Sequence, residues 1–391
     1  MNNTFSPTLG SLQPSLTLGI TAKAKAMKAA GEDVVSLCAG EPDFDTADHI
    51  KQAAIDSLNR GETKYTPAAG RPDLRKAVAE KLVNENSVPS TADQVVVAPG
   101  AKYSVFTAIA VLCQPGDEVL IPTPCWLSYP EMVKATGAKP VFVPATLDNE
   151  FCATADAIRA AATDKTRLLI LNTPSNPTGG IYSRDQLAAI ADVAKEFDFM
   201  ILADEIYEKL VYDTELEHVS IASLSDDAAE RTITVNGFSK AYSMTGWRLG
   251  YLSAPLPVAK RIMALQSHTT SNPTSFAQAG ALAALTGDQS VVETMRQAFA
   301  ERREIIYQRL NQIPGVNVFK PHGAFYIFPD IGSFGIDSMT FAERLLNEKK
   351  LAVIPGMPFQ ADTCIRLSYA NSIGTIEKGL DRLAEFCSEL A

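Results

Sequence analysis

From about residue 93 onward, short and continuously apolar runs alternate with amphipathic stretches, and this pattern constrains the fold more than any other feature of the chain. The runs fall at 94–98, 118–121, 140–144, 167–171, 199–203, 232–235 and 249–253. A strand with one wet face alternates apolar and polar residues, whereas a strand covered on both faces need not. Between these runs, residues 186–197 set Leu187, Ile190, Val193 and Ala194 on one stripe, as an amphipathic helix does. Strands alternating with helices predict an α/β fold, with a mainly parallel sheet sandwiched by helices.

The C-terminal part reads differently. Residues 288–312 predict one long helix, and 316–328 predict two strands split at Pro321-His322-Gly323. A helix is expected over 341–349, short strands over 352–354 and 365–368, and a closing helix over 376–390. That is a smaller α+β unit. A chain of 391 residues is long for a single core, so two domains are expected. The large one spans 47–287. The smaller one combines 1–46 with 288–391, because a leading segment with no core of its own must dock elsewhere.

The net charge is −10, from 35 basic and 45 acidic residues, with no Lys/Arg run. Such a chain is a poor partner for nucleic acid, and any anion site must be built locally. Cys38, Cys113, Cys125, Cys152, Cys364 and Cys387 form no CxxC pair and read as reduced, mostly buried thiols. No secretory pattern opens the chain and no apolar run reaches a membrane-spanning length, so a cytoplasmic protein is expected.

Ligands of such sheets bind beyond the carboxyl ends of the strands. The residues there are Pro99-Gly100-Ala101-Lys102, Pro122 to Trp126, Asn172 to Gly180, Asp204 to Tyr207, and Asn236 to Lys240 followed by Met244 to Arg248. Polar and charged groups therefore gather at one sheet edge. No GxGxxG or GxxxxGK[ST] motif is present. Four histidines without clustered Cys/His spacing argue against zinc.

Seven segments carry a specific resemblance: AGEPDFDT (39–46), KYTPAAGRPDLR (64–75), NTPSNPTGG (172–180), DEIYEKL (204–210), NGFSKAYSMTGWRLGY (236–251), GAFYIF (323–328) and IRLSYA (365–370). In this order they resemble class I aminotransferases of fold type I, enzymes that use pyridoxal 5′-phosphate (PLP). The likeness covers nearly the whole chain and is nearest to the bacterial and plant type of aspartate aminotransferase.

The residues make chemical sense in that light. Lys240, at a strand end among small and apolar residues, can lose solvent and become a nucleophilic amine. The resemblance implies that it bears the cofactor as a Schiff base and moves the substrate proton. Asp204 ends an apolar strand, and a buried carboxylate needs a partner. The resemblance supplies the pyridine nitrogen, and a helix N-cap is the competing role. Tyr207 and Asn176 are expected on the cofactor's phenolic oxygen, although Asn176-Pro177 also reads as a turn. Trp126 is expected against the ring, or else in the core. Gly100, Ala101 and Lys102 open a helix and so offer donors to a phosphate, with Ser239 and Arg248 beside them. Tyr65 is implied to reach the phosphate of a neighbouring subunit, and its plain alternative is a turn aromatic.

Arg366 sits in a short apolar strand without an acidic neighbour in sequence, which asks for an anionic partner. The resemblance assigns it the substrate α-carboxylate, with Gly40 and Asn176 completing the grip. A structural ion pair is the alternative. The segment 268–275 holds no Arg for a second carboxylate, so Lys102 is the expected distal cation, with Ser15 and Thr17 adding hydrogen bonds. As an ordinary solvated lysine, Lys102 would oppose the helix dipole. The expected activity is ping-pong transamination of aspartate with 2-oxoglutarate by a homodimer with shared active sites. The alternatives are prephenate, aromatic or alanine substrates, or a PLP-dependent lyase. A PLP-containing transcription regulator fits less well, because AGEPDF begins at residue 39 and the charge is acidic. Gln13 precedes Pro14-Ser15 where relatives active on prephenate tend to carry Lys, which favours aspartate and glutamate.

Overall fold

The computed structural model describes residues 6, 8–12, 16–213 and 215–390. A first short strand, β1 (Val35–Ser36), stands apart from the main sheet. That sheet contains β2 (Val95–Ala98), β3 (Glu118–Thr123), β4 (Lys139–Pro144), β5 (Thr166–Asn172), β6 (Met200–Asp204), β7 (Thr232–Gly237) and β8 (Gly250–Ser253). Their spatial order is β2-β8-β7-β6-β5-β3-β4. Strands β3 to β7 pair in parallel, and β8 alone runs against both of its neighbours. Six strands therefore deliver their carboxyl ends to one edge.

Burial on both faces explains the apolar runs. Every residue of β2, β7 and β8 is buried, and only the edge strand β4 shows substantial exposure. Successive side chains of a strand point to opposite faces. Accordingly Leu168 and Ile170 join one core with Ile109 and Ile262, from the helices Ala101–Leu112 and Leu256–Thr269. Leu169 and Leu171 join another with Leu187 and Ile190, from the helix Arg184–Glu196. Each such fully buried side chain contributes about 1.5–3 kcal/mol. Four strands run further than their apolar runs suggest, β3 among them, which continues to Thr123. β5 continues to Asn172, β6 to Asp204 and β7 to Gly237, because ladder pairing is indifferent to side-chain polarity. Asp204 thus belongs to the ladder, in register with Asn172 and Val235.

The C-terminal region adds β9 (Tyr326–Ile327), β10 (Leu351–Ala352), β11 (Ile354–Pro355) and β12 (Ile365–Ser368). β11, β12 and β9 form an antiparallel sheet, while β10 pairs with β1, which ties the leading segment to this region. Their core includes Phe299 and Ile306 of the helix Ser290–Leu310 and Leu380 and Phe386 of the helix Ile373–Leu390. Two expectations need correction. Residues 316–320 form no strand, only an isolated bridge between Asn317 and Asp330. The backbone of 322–324 bonds to residues 179, 210 and 212, which leaves it no hairpin partner of its own. The single strand expected over 352–354 is two, split at Val353, because β10 and β11 belong to different sheets.

Glycine is needed where β8 meets the start of the helix Ala101–Leu112. A Cβ on Gly250 would lie 2.2 Å from Ala101 N, and one on Gly100, whose φ is +90°, would lie 2.6 Å from Arg248 Nη2. The first obstacle is backbone and cannot rotate away. Gly250→Ala should therefore lower unfolding stability by about 1–3 kcal/mol in chemical denaturation. A wild-type midpoint and slope would show instead that the helix start can shift freely.

Candidate active site

At the carboxyl edge of the sheet lies an open cleft of about 650 Å³. Asp204, Tyr207, Ser239, Lys240 and Arg248 line it from the strand ends, and Arg366 and Tyr326 line it from β12 and β9. Asp204 is 4% exposed. Its Oδ2 accepts a 2.7 Å hydrogen bond from Tyr129, and its Oδ1 accepts from the Ile206 N–H at 3.3 Å. One oxygen thus caps the turn, as the N-cap alternative expects, while the other is held by a buried phenol. Burial pushes the Asp204 carboxyl up to about 6, and the nearby Glu205 adds to this, against the lowering effect of Tyr129, the Ile206 amide and Lys240. A carboxylate in this state is an unmet demand for a cation.

Lys240 follows β7 and is partly buried in the same cleft. Its Nζ donates to the Gly40 carbonyl and lies 5.6 Å from the Phe325 ring centre. Burial pulls its ammonium down to about 8, and the cations Arg366 and Arg248 add to this against Glu41 and Asp204. About a tenth of the amine is therefore free at pH 7, far more than in a solvated lysine, as a nucleophile requires.

An anion cradle adjoins. The helix Ala101–Leu112 starts after Gly100 with no side-chain cap and no acidic residue in its first turn, so its first N–H groups and dipole face outward uncompensated. Ser239 and the exposed Arg248 stand beside it. Lys102 Nζ lies 4.8 Å from the Trp126 ring centre, and burial together with Arg248 lowers its pKa. Lys102 as a whole is solvent-exposed, as its plain reading expects, but its ammonium sits beside Trp126 in the cleft lining.

Arg366 is 5% exposed. Its Nη1 donates to Asn176 Oδ1 at 3.0 Å and its Nη2 to the Cys38 carbonyl at 3.1 Å. Its Nε is buried without a hydrogen-bond partner, and no carboxylate lies within ion-pair distance among the described residues. Tyr326 and Phe359 flank the guanidinium, with ring centres at 4.4 and 5.3 Å. A buried cation with an orphaned donor awaits an anion. The whole set suits a ligand with a phosphate at one end, an aromatic ring with a basic nitrogen and a carbonyl able to condense with an amine. PLP is such a molecule.

The cleft thus gathers Gly40, Ala101, Lys102, Trp126, Asn176, Asp204, Tyr207, Ser239, Lys240, Arg248 and Arg366. Gly100 caps the helix behind it. Tyr65 is 90% exposed and does not line the cleft of its own chain. Ser15 and the side chain of Thr17 lie outside the described residues. Sequence reasoning missed Tyr129, three residues after Trp126, and Tyr326, whose hydroxyl is 3.1 Å from that of Tyr207. It also missed Asn172, which donates to the Asp204 carbonyl at 2.9 Å and accepts from the Asn176 N–H at 2.8 Å. The last was detectable as a polar residue closing an apolar strand. The two tyrosines look like ordinary core aromatics.

A family model described as aminotransferase class I and II matches residues 32–383. The chain is 46% identical over 383 residues to aspartate aminotransferase from Bacillus subtilis (strain 168), covering 97% of each. It is 44% identical over 384 residues to a probable aspartate/prephenate aminotransferase from Aquifex aeolicus (strain VF5), again covering 97% of each. Among solved structures, that of aspartate aminotransferase from Thermus thermophilus with maleate matches with a TM-score of 0.95 at 40% identity, over 98% of this chain and 100% of that one.

Tyr129→Phe removes the only side-chain hydrogen bond to the Asp204 carboxylate among the described residues. A hydrogen bond to a charged group is worth about 1.5–3 kcal/mol, so kcat should fall roughly 10- to 100-fold while the protein stays folded. Unchanged kcat would show that Asp204 is oriented without the phenol.

Proposed function

The chain belongs to the class I and II aminotransferases and has their fold type I architecture, and from that premise we propose that it transfers the amino group of L-aspartate to 2-oxoglutarate with PLP. The observation that carries this reading is the pairing, in one cleft, of a buried unneutralised Arg366 with the Asp204–Lys240 couple. Fold alone would not specify the chemistry.

When bound, PLP supplies an electron-withdrawing pyridinium that accepts the electron pair released at the substrate Cα. Asp204 holds the proton on the pyridine nitrogen. Its carboxyl is raised by burial, and the cation's arrival returns it to the charged form. Lys240 binds the cofactor covalently through its amine. With PLP in place, the Lys240 amine would be the base that holds and moves the substrate Cα proton, a role worth about 10²–10⁴-fold in rate. Tyr207 and Asn176 donate to the phenolic oxygen, and Trp126 packs on the ring. The helix start at Gly100-Ala101-Lys102, with Ser239 and Arg248, holds the phosphate. Arg366 takes the α-carboxylate as a two-pronged donor, with Asn176 and Gly40 beside it.

Residues 47–287 serve as the cofactor domain, and 1–46 with 288–391 as the smaller domain that brings Arg366. Two apolar cores draw only on 47–287, which supports this division, while Ile206, Tyr207, Leu210 and Tyr212 pack into the core of the smaller unit and join the two. We further infer a cytoplasmic homodimer. The protruding Tyr65 would complete the partner's phosphate site, and six buried free thiols suit a reducing compartment. Among the described residues no helix is long and apolar enough to cross a membrane.

Lys102 is the distal-carboxylate cation, since it lines the cleft with a lowered pKa and no acidic partner within ion-pair distance among the described residues. The Thermus relative holds maleate, itself a dicarboxylate. Prephenate is the second reading, favoured by the name of the Aquifex relative. Turnover should require 2-oxoglutarate, which a lyase would not. Lys102→Ala should lower kcat/KM for aspartate by about tenfold or more, and for alanine far less. Equal losses would move Lys102 to the cofactor or the fold. Prephenate turnover matching that of oxaloacetate would overturn the substrate assignment.

A further inference from the structure

The pentapeptide Asp204-Glu205-Ile206-Tyr207-Glu208 faces two ways. Asp204 and Tyr207 line the cleft, whereas Glu205 and Glu208 are engaged in a buried polar cluster that plays no part in the chemistry above. Glu208 Oε2 accepts from Asn86 Nδ2 at 2.6 Å, and its Oε1 accepts from Lys81, which also donates to Asn86 Oδ1 at 2.7 Å. Glu205 Oε2 accepts from Ser220 Oγ at 2.6 Å and lies 3.1 Å from His218 Nε2. None of the four ionisable side chains is more than 7% exposed. Lys81 and Asn86 come from the helix Pro72–Asn86, and His218 and Ser220 from the segment after the turn.

The charges decide what this cluster needs. Two carboxylates face one ammonium, so a neutral His218 would leave one buried negative charge unpaired, which is strongly unfavourable. One proton on His218 closes the balance. Glu205 Oε1 and both ring nitrogens of His218 lack a hydrogen-bond partner, so apart from the Ser220 bond to Oε2 the 3.1 Å approach of the two groups is the contact left to balance them. Burial pushes the imidazole down and so does Lys81, but Glu205 and Glu208 outweigh both and its pKa is raised. The ligand atoms of Glu205, Glu208 and His218 lie within 4.8 Å of one another, a spacing that could hold a metal ion. Lys81 already occupies Glu208 as a cation, however, and a divalent ion would overshoot neutrality.

We propose that Lys81, Glu205, Glu208 and His218 form a charge-balanced positioning cluster that fixes the turn presenting Asp204 and Tyr207 to the cofactor, with His218 carrying the balancing proton. The positioning role rests on the aminotransferase reading. The proton on His218 does not. Glu205 also acts electrostatically on Asp204, raising its pKa, so stripping the balance reaches the cleft as charge as well as through the backbone.

The test uses His218→Asn, Glu205→Gln and the double variant. The first readout is thermal stability of the cofactor-free protein against pH. A histidine with a raised folded pKa gives stability that is complete below its unfolded value, near 6.5, and is lost as pH rises through the folded value. Wild type should show that alkaline loss and His218→Asn should lack it. The second readout is the pH titration of the holoenzyme's visible cofactor band. His218→Asn strands a negative charge and should shift that titration upward by about half a unit or more. Glu205→Gln lets His218 release its proton and should stay near wild type. The double variant, neutral again, should return toward wild type in the cofactor titration while lacking the alkaline stability loss, as His218→Asn does. A double variant no better than His218→Asn would overturn the charge balance, as would an equimolar divalent metal in the purified enzyme. A protein that keeps the stability pattern but binds no PLP would sink the functional reading and the positioning role together, while supporting the proton on His218.

Discussion

The structure is organised around a carboxylate kept out of water at the end of a central strand. Asp204 belongs to the β6 ladder, so its backbone is fixed by pairing on both sides. Asn172 adds a bond to its main-chain carbonyl, and Tyr129 and the Ile206 amide fix the carboxylate. An isolated buried charge of this kind is costly and becomes favourable only when a cation arrives. Burial thus suits the residue to a cation, the role that the proposed function gives to a pyridinium. The backing cluster at Glu205 and Glu208 extends the same logic behind the turn.

Positive charge is concentrated to match, in a chain whose net charge is −10. Lys102, Lys240, Arg248 and Arg366 share one cleft, and each lowers the pKa of another or is flanked by aromatic faces rather than acids. Their mutual repulsion is relieved by anions, and an amino acid bound on a phosphorylated cofactor brings several. Under the proposed function, cofactor and substrate would answer the same electrostatic demand. Gly100 and Gly250 let the helix start and Arg248 approach closely enough to share it.

Much of this was legible in the sequence, for a physical reason. Strands buried on both faces must be apolar throughout, so seven runs located seven strands, and the polar residue after each run located the cleft. Asp204, Lys240 and Arg366 stood out because charge beside an apolar strand is expensive. Tyr129 and Tyr326 did not, since an aromatic side chain reads as core whether or not its hydroxyl has a task. The segment 316–320 misled because only Asn317 pairs, with Asp330, while residues 322–324, expected to turn a hairpin, find backbone partners in a distant part of the chain at 179, 210 and 212. The link between Lys81 and Glu208 was invisible for the same reason, as 127 residues separate them.

The most direct measurement is the nitrogen-15 chemical shift of the cofactor's ring nitrogen in the holoenzyme, compared with that in Asp204→Asn. If the buried carboxylate holds the pyridine proton, the wild-type nitrogen is protonated through the neutral and mildly alkaline range, and the variant's nitrogen is not. The same protonation state in both proteins would contradict the role given to Asp204.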